Sequence, residues 1–264
     1  MEEEFEQRNR IIKRYEDNDG FRNEQDKFKL RPTGRITSSS LYVDDFLTKK
    51  FPERPVILAP WLKQGTLSLV YAPRGLGKTW FGLTVAIAVT RNLPIGEWKT
   101  LKPTGCLYLD GEMACAELQD RLRQLTTGLP PALAPMNILS SEDMKSNNLS
   151  TINLVEEHWR NRILYDLKQD DTFRLLILDN LSCLAPGISE NSKQSWDEIN
   201  AWLLKLRAIG VAVVMVHHTG KNGAQRGTSA REDNIDVSIS LTKVEDDYSF
   251  RGAMFMVNFT KSRG

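Results

Sequence analysis

Neither sign of charge is in surplus: 35 lysines and arginines stand against 34 aspartates and glutamates, a net charge of +1. That balance excludes a global basic field of the kind that advertises nucleic-acid binding. Any such contact has to come from local loops or from several copies acting together. Cysteine is scarce and odd in number, with Cys106, Cys115 and Cys183 at spacings that suit no metal centre. A disulfide framework is therefore not expected, and reduced thiols in a cytoplasmic protein are. Long hydrophobic runs are also missing. The apolar stretch within 67–90 is interrupted at 73–77, short of the ~20 residues that cross a bilayer, so no membrane segment is expected. Residues Met1 to Arg14 mix acids with bases, which is not the composition of a secretory leader. What is present, 41% hydrophobic and 26% charged residues over 264 positions, suits one large globular α/β domain, or one domain with an arm.

Residues 1–45 differ from the rest. Glu2 to Glu16 are densely charged, with Phe5, Ile11, Ile12 and Tyr15 as the apolar points, and 17–40 read as a polar linker. Two readings stay open for this segment: a solvated arm, or an arm whose narrow apolar stripe docks on a neighbouring subunit. Residues 46–264 form the second division, in which strands and helices alternate. Strands are expected near 67–72, 105–110, 136–139, 174–179, 211–217, 235–242 and 252–260, and helices near 78–91, 114–127, 152–169 and 192–209. Such alternation predicts a mostly parallel sheet covered on both faces. The last two strands flank Glu245, Asp246 and Asp247 with no helix between them, which predicts an antiparallel edge hairpin.

The most informative segment runs from Leu67 to Thr79. An apolar strand feeds a glycine-bearing turn that closes on Gly77, Lys78 and Thr79 and opens a helix, the context that a phosphate-binding P-loop requires. Gly75 and Gly77 let successive N–H groups turn inward, so that Ala72, Pro73, Arg74, Gly75, Leu76, Gly77, Lys78, Thr79 and Trp80 make the candidate nucleotide cradle. Lys78 is expected on the phosphates and Thr79 on Mg²⁺. One position departs from the pattern, because its first glycine is Ala72; this costs little where that residue keeps φ below zero.

Three further strands deliver polar groups at their C-terminal ends, where ligands of open α/β sheets bind. The strand ending in Asp179 offers a carboxylate for Mg²⁺. Another ends in Asp110, Gly111 and Glu112. Glu112 is the candidate for orienting the water that attacks a γ-phosphate, with Asp110 as the competing carboxylate and a helix-end role as the plainer alternative. The third ends in His217 and His218. His218 is the candidate for sensing phosphate, since His217 is still in strand register. The loop after it carries Lys221, Asn222 and Arg226. It reads equally well as ordinary surface or as a track for a sugar-phosphate backbone.

The ordered strings APRGLGKT, LYLDGE, LLILDN, VVMVHHTGK and RGTSAREDNID, spread across 50–264, resemble the RecA-like P-loop ATPases. They are most similar to the hexameric replicative helicases of the plasmid RepA type, which share a DnaB-like core. The resemblance implies ATP and Mg²⁺ as ligands, Lys78 and Thr79 on phosphate and metal, Glu112 as catalytic carboxylate, Asp179 as metal-holding aspartate and His218 as γ-phosphate sensor. It also implies Lys221, Asn222 and Arg226 as DNA contacts in a central channel. RepA-type proteins carry a trans-acting arginine soon after the R-G-[ST]-S stretch, where this chain runs on to Asp236. By resemblance to DnaB-type rings, Lys261 and Arg263 supply the cations in trans, with Arg263 the first choice for arginine finger and Arg226 the second. The implied protein is an oligomeric ATP-hydrolysing motor, a DNA helicase or translocase of plasmid, phage or mobile-element replication. It would act as a homo-hexameric ring on single-stranded DNA, alongside replication or mobile-element proteins. The alternative is a regulatory or recombination ATPase that binds nucleic acid or a protein without unwinding. A passive ATP-binding scaffold needs neither Glu112 nor Lys261 and Arg263.

Overall fold

The computed structural model describes residues 40–187, 193–218, 234–244 and 253–263. The chain divides into two units, Met1–Pro52 and Glu53–Gly264. In the first, the described residues form one short helix, α1 (Val43–Thr48), which buries none of its side chains. Of the expected arm and linker over 1–45, residues 1–39 lie outside the described residues.

The second unit is built on a seven-stranded sheet. Its strands are β3 (Leu67–Ala72), β5 (Gly105–Asp110), β6 (Met136–Ser140), β7 (Phe173–Asp179), β8 (Ala212–His218), β9 (Val237–Lys243) and β10 (Phe255–Ser262), in the spatial order β10-β9-β3-β8-β7-β5-β6. Every neighbouring pair is parallel except β9 with β10, which are antiparallel. The expected mostly parallel sheet with an antiparallel edge hairpin is therefore present; the hairpin turn at 245–247 lies outside the described residues.

Because side chains alternate across a strand, each central strand feeds two cores. Leu69, Leu109, Leu176, Leu178, Val213 and Met215 face one side. There they meet α4 (Ser141–Ser146), α5 (Glu157–Gln169), α6 (Leu181–Leu184) and α7 (Lys193–Ala208) through Met144, Ile163, Leu184, Trp202 and Leu206. Val70, Cys106, Tyr108, Leu175, Ile177 and Val214 face the other side, against α2 (Lys78–Arg91) and α3 (Cys115–Thr126). Helix α2 is buried over most of its circumference, which is why its sequence is apolar all round rather than striped.

Five elements of this unit are absent from the sequence-based expectation: the short helices α4 and α6, and three short strands. β1 (Val56–Ala59), β2 (Leu62–Lys63) and β4 (Lys99–Thr100) form a small antiparallel sheet in the order β2-β1-β4. Trp98 fastens it to the large sheet, its ring lying 5.6 Å from Trp61, 5.8 Å from Phe259 and 6.2 Å from Phe81 in edge-on contacts. Helix α5 begins at Glu157 rather than at 152. Asn153 turns the chain there, its Oδ1 accepting from the Val155 N–H at 3.1 Å, while the Leu154 N–H donates to Leu184.

Candidate nucleotide site

β3 ends at Ala72 and α2 starts at Lys78, so the turn between them lies at the C-terminal edge of the parallel strands. Gly75 and Gly77 both adopt positive φ, +78° and +100°. A Cβ at Gly77 would also lie 2.9 Å from the Phe255 ring, so this position excludes any other residue on two counts. Among the described residues, positive φ outside glycine occurs only at Asn92 and Asn148. Ala72 therefore sits in ordinary strand geometry, and the missing first glycine costs the backbone nothing. Lys78 is 5% exposed, and its Nζ donates to the carbonyls of Ala72 at 3.0 Å and Pro73 at 2.8 Å. Burial pushes its pKa down, while Asp179 and Glu112 pull it back toward the charged form.

The two acid-tipped strands are neighbours, and their register sets Asp110 beside Asp179. Asp179 is buried and accepts a hydrogen bond from the Tyr108 hydroxyl at 2.6 Å. Burial raises its pKa; the Tyr108 and Thr79 hydroxyls and Lys78 oppose the rise. The Thr79 hydroxyl and the Asp179 carboxylate form the hard oxygen pair that suits a divalent cation. Among the described residues no three His, Cys, Asp or Glu side chains gather to hold a metal alone, so phosphate oxygens and water would complete its shell. When bound, Mg²⁺ supplies positive charge against the phosphates.

Asp110 occupies a different environment. It is 1% exposed and accepts from the Met113 N–H at 3.1 Å. Burial, and then the Asp179 charge, raise its pKa to about 7, with the Met113 and Glu112 N–H groups opposing. In the unfolded chain the same carboxyl titrates near its ordinary 3.8. Its stabilising contribution is thus complete below the unfolded value and is lost as pH rises toward 7. Asp110→Asn, which keeps an acceptor oxygen, should stabilise the metal-free protein at pH 8 by on the order of 3 kcal/mol. Urea unfolding in the presence of a chelator at pH 8 and pH 5 measures this; a gain that fails to shrink at pH 5 refutes the assignment.

Glu112, Asn180 and His218 make the third cluster. The pleat of β8 sorts its two histidines. His218 aligns with Ala72 and faces the loop, whereas buried His217 turns to the other face, with Nδ1 3.4 Å from the Ser182 hydroxyl. The Asn180 Nδ2 donates to Glu112 Oε2 and lies 3.1 Å from His218 Nε2; Glu112 Oε2 and His218 Nε2 are 3.5 Å apart. Burial and the Lys78 charge lower the His218 pKa, keeping it neutral at pH 7. Gly111 makes room for this cluster, since a Cβ there would meet Cys183 Cβ at 2.9 Å and Leu184 at 3.1 Å.

Lys78, Thr79, Asp179, Glu112 and His218 therefore converge at one edge of the sheet. Arg74 is exposed there, and Trp80 carries the Arg121 guanidinium 5.3 Å from its ring centroid. Lys261 and Arg263 do not converge with them. Ser262 pairs with Val237, and Val237 with Ser68. At a rise of about 3.3 Å per residue, Ser68 lies roughly 13 Å below the end of β3. Asp236, the departure noted above, joins elements at that lower edge. Its Oδ2 accepts from the Leu67 N–H at 2.9 Å and from Arg207 at 2.6 Å. Lys221, Asn222 and Arg226 lie outside the described residues. The sequence reading missed two members of the site. Tyr108 lies two residues before Asp110, on the same face of β5, and Asn180 directly follows Asp179.

A strand–turn–helix with a buried lysine, followed by acids on neighbouring strand ends, defines a P-loop nucleotide site on an α/β sheet. The profile of the AAA domain matches residues 31–224, well over half of the chain and all of these residues. The chain belongs to that family and is an ATPase of the P-loop type. No curated protein matches it. No helix among the described residues is long and apolar enough to cross a membrane.

Proposed function

We propose that the chain is an ATP-hydrolysing motor that assembles into a ring, most simply a hexamer, and translocates on or unwinds DNA. One observation carries the reading. The residues able to bind and cleave a nucleotide gather at one edge of the sheet, while Lys261 and Arg263 stand at the opposite edge, beyond reach of their own chain's loop. A second copy would bring them to the nucleotide, which makes each site complete only between subunits. In this reading Lys78 holds the phosphates, Thr79 and Asp179 hold Mg²⁺, and Glu112 orients the attacking water. His218 faces the γ-phosphate, and Arg263 stabilises the charge that develops there.

The DNA assignment rests on Lys221, Asn222 and Arg226, the basic and amide residues that come after His218 in the sequence. Its test is ATP-driven strand displacement on a forked DNA, run alongside single-strand binding at several salt concentrations. Lys221→Ala with Arg226→Ala should weaken binding and reduce the salt slope by ~0.7 for each lost phosphate contact. ATP turnover without strand displacement or DNA binding would support a regulatory ATPase that acts on a protein partner.

A further inference from the structure

We infer that Asn180 is the positioning residue of this site: its amide holds Glu112 and His218 as one hydrogen-bonded unit and fixes His218 as the Nδ1–H tautomer. The inference rests on the ATPase reading of the same residues. Asn180 is 2% exposed, and its orientation is set by chemistry. Its Oδ1 accepts from the Cys183 N–H at 3.1 Å, capping the first turn of α6. A backbone N–H can only donate, so the oxygen must face Cys183 and the NH₂ must face the opposite way. That NH₂ has two hydrogens and two neighbours, Glu112 Oε2 and His218 Nε2.

The His218 tautomer follows from what surrounds each ring nitrogen. Nδ1 is buried and has no hydrogen-bond partner among the described residues, so that side favours neither form. On the other side, Nε2 meets a donor at 3.1 Å and a carboxylate oxygen only at 3.5 Å. The shorter contact decides, and Nε2 accepts. Glu112 meanwhile spends one oxygen on the amide and keeps the other for water. Any movement of His218 breaks the bond to the same amide that aligns Glu112, so the two side chains respond together.

Asn180→Asp separates this role from simple capping, because aspartate retains the acceptor for Cys183 but has no hydrogen to donate. Long-range ¹⁵N–¹H NMR of the full chain should show His218 as Nδ1–H in the parent. In Asn180→Asp it should show Nε2–H or imidazolium. The kcat of Asn180→Asp and of Asn180→Ala should fall at least tenfold, while the Kd for ATPγS stays within threefold. Nε2–H in the parent overturns the inference, whichever variants fold. So does an Asn180→Asp protein with the parent's tautomer and kcat while the parent hydrolyses ATP. A parent that hydrolyses no ATP refutes the enzymatic reading instead, whatever its tautomer.

Discussion

Lys78→Ala and Asp179→Asn should each lower ATP turnover by on the order of 10²–10³, the scale of losing one preorganised charge-stabilising group, and they should fail in different ways. Lys78→Ala removes the ammonium that now bonds to the carbonyls of Ala72 and Pro73. It therefore loses charge compensation at the phosphates and the inner brace of the loop together, and nucleotide affinity falls with kcat. Asp179→Asn keeps an acceptor for the Tyr108 hydroxyl but weakens the hold on Mg²⁺ with Thr79, so raising the Mg²⁺ concentration should restore part of its turnover. Glu112→Gln forms a third class. The amide has the shape of the carboxylate without its basicity, so ATP should bind with near-parental affinity and stay uncleaved. Titration with a fluorescent ATP analogue, beside steady-state phosphate release, separates the three. Parental turnover by Glu112→Gln would move the water-orienting role to Asp110 or remove it.

These outcomes depend on features that differ in how openly the sequence carries them. Helix 78–91 and the strand ends at Ala72, Asp110 and Asp179 were legible because glycine punctuation and apolar runs agree there, and local signal matches tertiary need. The small sheet was not legible. β2 and β4 are two residues each, too short for any period, and they exist because Trp98 has Trp61, Phe81 and Phe259 to pack against. α5 starts later than its sequence pattern suggests because Asn153 bonds the nearby backbone in place of propagating a helix. Within the site, residues at motif positions could be named from the sequence, whereas Asn180 could not. Its importance lies in contacts to Glu112, 68 positions earlier, and to His218, 38 positions later. Such a relation exists only once β5, β7 and β8 lie in their spatial order.

Arg263→Ala should reduce ATP turnover by ~10³ or more, the range that an arginine supplied to a transferring phosphoryl contributes, while leaving ATP binding unchanged. Affinity is spared because the side chain lies at the far edge of the sheet from its own loop. The backbone N–H of this residue donates to the Asp236 carbonyl at 2.9 Å, a bond that alanine retains. Arg263 lines a cavity of about 490 Å³ with Glu53, Arg54, Trp61, Lys63 and Asp236, so its truncation leaves a polar, water-accessible surface and no apolar void. Mixing is the decisive form of the experiment. Arg263→Ala subunits have an intact loop and Lys78→Ala subunits an intact Arg263, so neither protein alone has a complete site. If the arginine acts across an interface, combining the two inactive proteins creates some interfaces with both parts, and turnover returns to a fraction of the parental rate set by the mixing ratio. If Arg263 acted within its own chain, no ratio would restore activity. A strictly monomeric parent with full turnover at high dilution would overturn the ring itself.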